Sequence, residues 1–119
     1  MHKPNIIITE SHGTLATMAV KGDITSYSEQ YLNQAYEDVN TQHFPQKILF
    51  ILEKDAYINS GGIAVLIQIL AETRKKNQFI GITGLAAHFK KIFNMVGITK
   101  LATIYDSLDG ALEAMKAME

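Results

Sequence analysis

Five apolar residues in succession, Ile48-Leu49-Phe50-Ile51-Leu52, follow Pro45 and Lys47 and leave no polar side to the segment. A strand of an open antiparallel sheet alternates apolar and polar residues, because one of its faces meets water; a continuous run reads as a strand covered on both faces, the usual state of a parallel strand in an α/β domain. The rest of the chain must then supply a layer above this strand and a layer below it.

The neighbouring segments fit that demand. Ile6-Ile7-Ile8-Thr9 is β-branched and predicts a first strand, Ser11-His12-Gly13 a turn, and Thr14 to Val20 a second strand closing a hairpin. Ser26 or Ser28 caps a helix running to about Asn40, with Leu32, Ala35 and Val39 spaced three and four apart as its inner stripe and Tyr27, Tyr31 and Tyr36 flanking it. A helix from Ser60 to about Asn77 follows the central strand. Ile63, Leu66, Ile67 and Leu70 form one face, Ala64, Val65 and Ile69 cover much of the rest, and the tail Glu72 to Asn77 is read as emerging into water. Phe79 to Thr83 predicts another strand, Ala86 to Met95 a short helix on Phe89, Ile92 and Phe93 that Gly97 stops, and Ala102 to Tyr105 a last strand. Asp106 or Ser107 caps a final helix with Leu108, Ala111, Leu112 and Met115 inside. Helix and strand alternate after the hairpin, so the expected fold is α/β. It has a mixed, mainly parallel sheet with an N-terminal antiparallel hairpin and about four helices, in one domain spanning residues 1–119.

Composition removes several function classes. Eleven basic against twelve acidic side chains give a net charge of −1, without the basic stripe of a dedicated nucleic-acid binder. The chain has no cysteine, and His2, His12, His43 and His88 stand too far apart to share a metal on one helix face, so no metal or cofactor is expected. No segment reaches the length of a membrane span, and the three-isoleucine run near the amino terminus is too short for a signal peptide, so a cytoplasmic protein with no membrane partner is expected. Ser60 with His88 and an aspartate does not make a hydrolase triad, because the Gly-x-Ser-x-Gly elbow is missing; no enzyme activity is expected. The Gly81 to Leu85 segment lacks the spacing and lysine of a phosphate loop. Arg74-Lys75-Lys76 and Lys90-Lys91 read as solvated helix faces, and the five methionines, Met95, Met115 and Met118 among them, as core filler and a frayed end.

In such folds sites form where a strand ends and the next helix begins. Asn59-Ser60-Gly61-Gly62 stands at such a junction, between the central strand and its apolar helix. Asn and Ser favour helix caps, and paired glycines permit close approach of helix and strand.

The chain resembles the STAS domain, the fold of bacterial anti-sigma factor antagonists, over nearly its whole length. The resemblance rests on Asn59-Ser60-Gly61-Gly62-Ile63-Ala64-Val65-Leu66, which falls on the family's Asp-Ser-Ser-Gly-Leu-Gly motif. It rests also on Gly22-Asp23-Ile24-Thr25 before the first helix, and on Met95 to Leu101 followed by Ile104 to Leu112. It implies a regulator that binds a serine-kinase-like ATPase acting as anti-sigma factor, and so takes part in transcription signalling through protein–protein contact. In the family the second serine of the motif is phosphorylated by that partner, phosphorylation blocks binding, and a phosphatase restores it. Here that position is Gly61, the first serine is Ser60, and the aspartate is Asn59: the phosphorylation site is degenerate. Either Ser60 is a displaced phosphoacceptor, about 100° round the helix from the usual position, or the partner is bound without the phosphoserine switch, which is the reading adopted. The resemblance thus implies a partner-binding face on Asp23, Asn59, Ser60, Gly61, Gly62 and Ile63, within a surface from Asp55 to Ile63 joined by Gly22 to Thr25. A weak homodimer is a further expectation, and a STAS domain sensing a nucleotide, anion or lipid is the alternative.

Overall fold

The run Lys47–Leu52 forms β3, the middle strand of a five-stranded sheet in a computed structural model that describes residues 3–118. The other strands are β1 (Ile6–His12), β2 (Leu15–Lys21), β4 (Phe79–Thr83) and β5 (Thr103–Ile104). Their spatial order equals their chain order; β1 runs antiparallel to β2 and every later pair is parallel. The helices are α1 (Glu29–His43), α2 (Ser60–Lys75), α3 (Ala87–Met95) and α4 (Leu108–Ala117), with single 3-10 turns at Ser26–Ser28 and Ile98–Lys100. The expected α/β sheet with an antiparallel hairpin is the one formed.

Right-handed crossovers that always step in the same direction place their helices on one face of the sheet. Accordingly α1, α2 and α3 share one core, in which Leu32, Val65, Leu66, Leu70 and Phe93 pack on Met18, Ile48, Phe50 and Ile82. The alternate residues of the strands face the other way, where α4 brings Ala111 and Met115 onto Leu15 and Leu49. β3 is therefore covered on both sides, as its sequence requires. Lys47, at the start of this strand, is only 6% exposed. Its ammonium donates to the carbonyl oxygens of Met115 (2.7 Å) and Met118 (3.0 Å) and so ties down the last turn of α4; a cation there also complements the negative end of the helix dipole.

Several sequence expectations are corrected. β1 continues to His12 and the turn is Gly13-Thr14, with Gly13 at φ 68°; Ser11 and His12 pair with Ala16 and Leu15. α1 begins after a 3-10 turn and ends at His43, and α2 ends at Lys75 because Asn77 takes φ 57°. Thr73, expected in the solvated tail, is buried, since its hydroxyl donates to the Leu70 carbonyl inside the same helix and needs no water. Ala64 is exposed, so the first half of α2 is not buried all round. Leu108, placed on the inner face, is 41% exposed in the first turn of α4, and Met95 is 83% exposed rather than in the core. His2 lies outside the described residues. Among those residues no helix is long and apolar enough to cross a membrane, and no three metal-ligating side chains converge.

Candidate functional site

The loop from β3 to α2 is held by a remote segment. Ile24, fully buried, donates its N–H to the Tyr57 carbonyl (2.9 Å) and accepts from the Asn59 N–H (3.2 Å), a short parallel bridge to Ile58. The Asp23 carboxylate accepts from the Tyr57 N–H at 3.0 Å, and the Asn5 side chain donates to the carbonyls of Lys21 and Asp23. Thr25 and Ser28 form a reciprocal capping box over the 3-10 turn. Two loops at the carboxyl ends of β2 and β3 thus become one hydrogen-bonded platform.

Asn59 is the N-cap of α2, its Oδ1 accepting from the Gly62 N–H at 2.8 Å. Capping satisfies one of the four amides a helix start leaves without partners. Gly62 is required by the platform itself: a Cβ there would lie 2.1 Å from the Ile24 carbonyl oxygen. Gly61 has a little more room. A Cβ would stand 3.0 Å from both Cβ and N of Ser26, the first residue of the 3-10 turn. Ser60 is exposed on the first turn of α2, and Ile63 turns half-buried onto the main core. The six residues Asp23, Asn59, Ser60, Gly61, Gly62 and Ile63 are brought together, although Asp23 comes from a different loop.

Aromatic side chains surround this junction. Tyr57 is 59% exposed and Tyr27 54%. Tyr57 meets Phe89 of α3 edge-on, with ring centroids 6.4 Å apart, and His88 lies against the same ring at 4.1 Å. Sequence reading placed Tyr27 only as a flank of α1 and Tyr57 only within the Asp55 to Ile63 surface, whereas Phe89 is buried in the core as expected. Beside Asp23 opens a cleft of about 540 Å³ lined by Lys3, Gly22, Thr25, Tyr27, Ser28 and Glu53. The carboxyls held below their ordinary range lie elsewhere: Glu72 through its hydrogen bond from Lys75 and the charges of Lys75 and Lys76, and Asp106 through its hydrogen bond and ion pair with Lys90.

The arrangement offers an exposed surface where two loops meet. The Ser60 hydroxyl is exposed on a neutral helix start, and among the described residues no base is hydrogen-bonded to it. Comparison with known proteins agrees with this architecture. The anti-sigma factor antagonist of Mycobacterium paratuberculosis superposes with a TM-score of 0.74 at 21% identity, covering 94% of each chain. SpoIIAA, an anti-sigma factor antagonist, is similar in its unphosphorylated form (TM-score 0.71, 10% identity, 95% of this chain and all of that one). The phosphorylated form of the Bacillus protein gives a TM-score of 0.66 at 11% identity, covering 92% of this chain and 99% of that one. At these identities the likeness is one of fold. The STAS domain model matches residues 5–111, which takes in the hairpin, the Asp23 loop, the Asn59–Gly62 junction and the start of α4, and the chain belongs to the STAS domain family.

Proposed function

We propose that the chain works by docking another protein onto the face around Ser60, and that the partner is a kinase-type anti-sigma factor or a related regulator. The observation that carries this reading is the exposed Ser60 on a helix start locked by Gly62 against Ile24. Family membership and the anti-sigma factor antagonists among its structural relatives support the partner class. Tyr27 and Tyr57 give the face large, stiff side chains of the kind that anchor protein interfaces. Binding, not bond-making, is the activity proposed.

The usual phosphoserine switch is absent from this reading. Gly61 occupies the family's acceptor position and carries no hydroxyl, and Ser60 presents its own about 100° round the helix. A phosphate adds about 1.5 to 2 negative charges. At a helix start such a charge is tolerated by the fold, so it would act on the partner's surface, where a desolvated and unpaired charge is costly. The test is a titration of the purified partner, the kinase-like ATPase, with the native chain and with Ser60→Asp. Binding by the native chain and its loss in the variant are expected; unchanged affinity removes Ser60 from the docking face. Incubation with that kinase and ATP, followed by phosphosite mapping, is expected to leave Ser60 unmodified.

The cleft of about 540 Å³ beside Asp23 favours a second reading, a STAS domain that senses a small ligand. Native mass spectrometry of the chain purified under mild conditions decides it. A bound adduct supports ligand sensing, and a clean chain mass with retained partner binding supports docking.

A further inference from the structure

We infer that the free edge of β1 pairs with β1 of a second copy of this chain, extending the two sheets into one across a two-fold axis. β1 is an outer strand of the sheet, and its pairing with β2 runs through seven successive residue pairs without a bulge. Between Ile6 and His12 there is no proline and no lysine. Natural edge strands are blunted by such devices because an unpaired row of N–H and C=O groups recruits another strand. This edge has neither, although it carries Glu10, and it also exposes apolar side chains: Ile6 is 60% exposed and Ile8 46%, Ile8 lining a cleft shared with Leu108, Leu112 and Lys116 of α4.

The strand's own sequence selects the occupant and the register. Two β1 strands related by a two-fold axis perpendicular to the sheet must pair residues that point to the same face. Centring the pair on Ile7 sets Ile6 against Ile8 of the second copy, Ile7 against itself and Ile8 against Ile6. Centring it on Ile8 sets both Ile6 side chains against Glu10, and centring it on Thr9 sets Ile8 against Glu10 and Ile6 against His12. Apolar cross-strand pairs stabilise an antiparallel sheet, whereas a carboxylate facing isoleucine loses water without gaining a partner. Of these three registers, the Ile7-centred one joins the isoleucines to one another. The contact lies on the lateral edge of the sheet and makes no use of Ser60, Gly61 or Gly62, so it does not depend on the docking function.

The experiment is sedimentation equilibrium of the full chain, up to about 1 mM, high enough to half-populate a dimer with a millimolar dissociation constant. A mass rising with concentration toward twice the 13.2 kDa of the chain is expected. Ile8→Lys, a change at a half-exposed position, is expected to raise the dissociation constant by more than about tenfold, since each substitution acts twice across the axis. The chain has no cysteine, so a single Ile7→Cys reports the register directly. Mild oxidation is expected to give a disulfide-linked dimer, and an exposed control, Met95→Cys, is expected to stay monomeric under the same conditions. A monomer at every concentration, a dimer indifferent to Ile8→Lys, or an Ile7→Cys chain that crosslinks no better than Met95→Cys each overturns the inference.

Discussion

Replacing Gly62 by alanine sets two physical effects against each other, and the structure says which prevails. Alanine favours a helix interior over glycine by about 1 kcal/mol, so local propensity predicts a more stable protein. The added Cβ would lie 2.1 Å from the Ile24 carbonyl oxygen, about 1.2 Å inside the ~3.3 Å of the closest C–H···O contacts. The obstacle is backbone, and Ile24 cannot retreat: it is fully buried and hydrogen-bonded on both sides, to Tyr57 and Asn59. The start of α2 has to lift away. That movement stretches the two Ile24 hydrogen bonds, at about 1 kcal/mol each, and the Asn59 cap, at about 1 kcal/mol. After subtracting the propensity gain and adding residual overpacking, the net loss is about 2 to 4 kcal/mol. At about 4 °C per kcal/mol for a chain of this size, the thermal midpoint falls by about 8 to 16 °C. Thermal unfolding followed by circular dichroism measures it, with urea unfolding as the second readout. A midpoint equal to or above that of the native chain would refute the account of the platform, because it would mean that the close approach of Ile24 and Gly62 does not constrain the helix.

Other substitutions test other parts of the same reasoning. Asn59→Ala removes the side-chain acceptor of the Gly62 N–H and is expected to cost about 1 kcal/mol in urea unfolding, the usual worth of an N-cap. Lys47→Met keeps the buried aliphatic stem but strips the Met115 and Met118 carbonyls of their donor. A loss of about 2 kcal/mol is expected, with amide-exchange protection in Ala111–Met115 falling before that of the strands. Gly61→Ser restores a hydroxyl at the motif position but sets its Cβ 3.0 Å from Ser26. It is expected to lower stability by about 1 kcal/mol, and by less when combined with Ser26→Gly; equal losses in both backgrounds would deny the contact. Met95→Ser removes an apolar side chain that is 83% exposed and is expected to change stability by less than about 0.5 kcal/mol.

What could be read from the sequence was whatever a single segment determines by itself. β3 declared its two-sided burial because five apolar residues leave no other choice, and α1 declared its inner stripe through Leu32 and Val39, which are buried. The errors fall where an exposed or locally satisfied residue carries no periodic signal. Glu10, Ser11 and His12 belong to β1, but on an outer strand with solvent at hand polar residues read like a turn. Thr73 counts as polar in any pattern, yet its hydroxyl finds a carbonyl one turn back and can be buried at no loss. Leu108 and Met95 sit at the helical period of apolar faces, but each stands at a helix end, beyond the reach of the sheet below.

The site divides along the same line. Asn59 as a cap is a statement about four consecutive residues, so the sequence contained it. The reasons for the two glycines were not local, because the atoms that crowd them belong to Ile24 and Ser26, on the loop after β2. Those two contacts also separate what looks like one feature into two. Gly62 meets a fixed backbone carbonyl and has no alternative residue, whereas Gly61 meets a side chain and an amide at the border of tolerable distance. The residue that fills the motif position is thus set together with Ser26, across the gap between two loops. Any account of why this chain carries no hydroxyl at residue 61 has to include the residue at 26, since a serine can be accommodated there only as far as the 3-10 turn yields. The adjacent Ser60, exposed on the first turn of α2, is the position on which the proposed docking face rests.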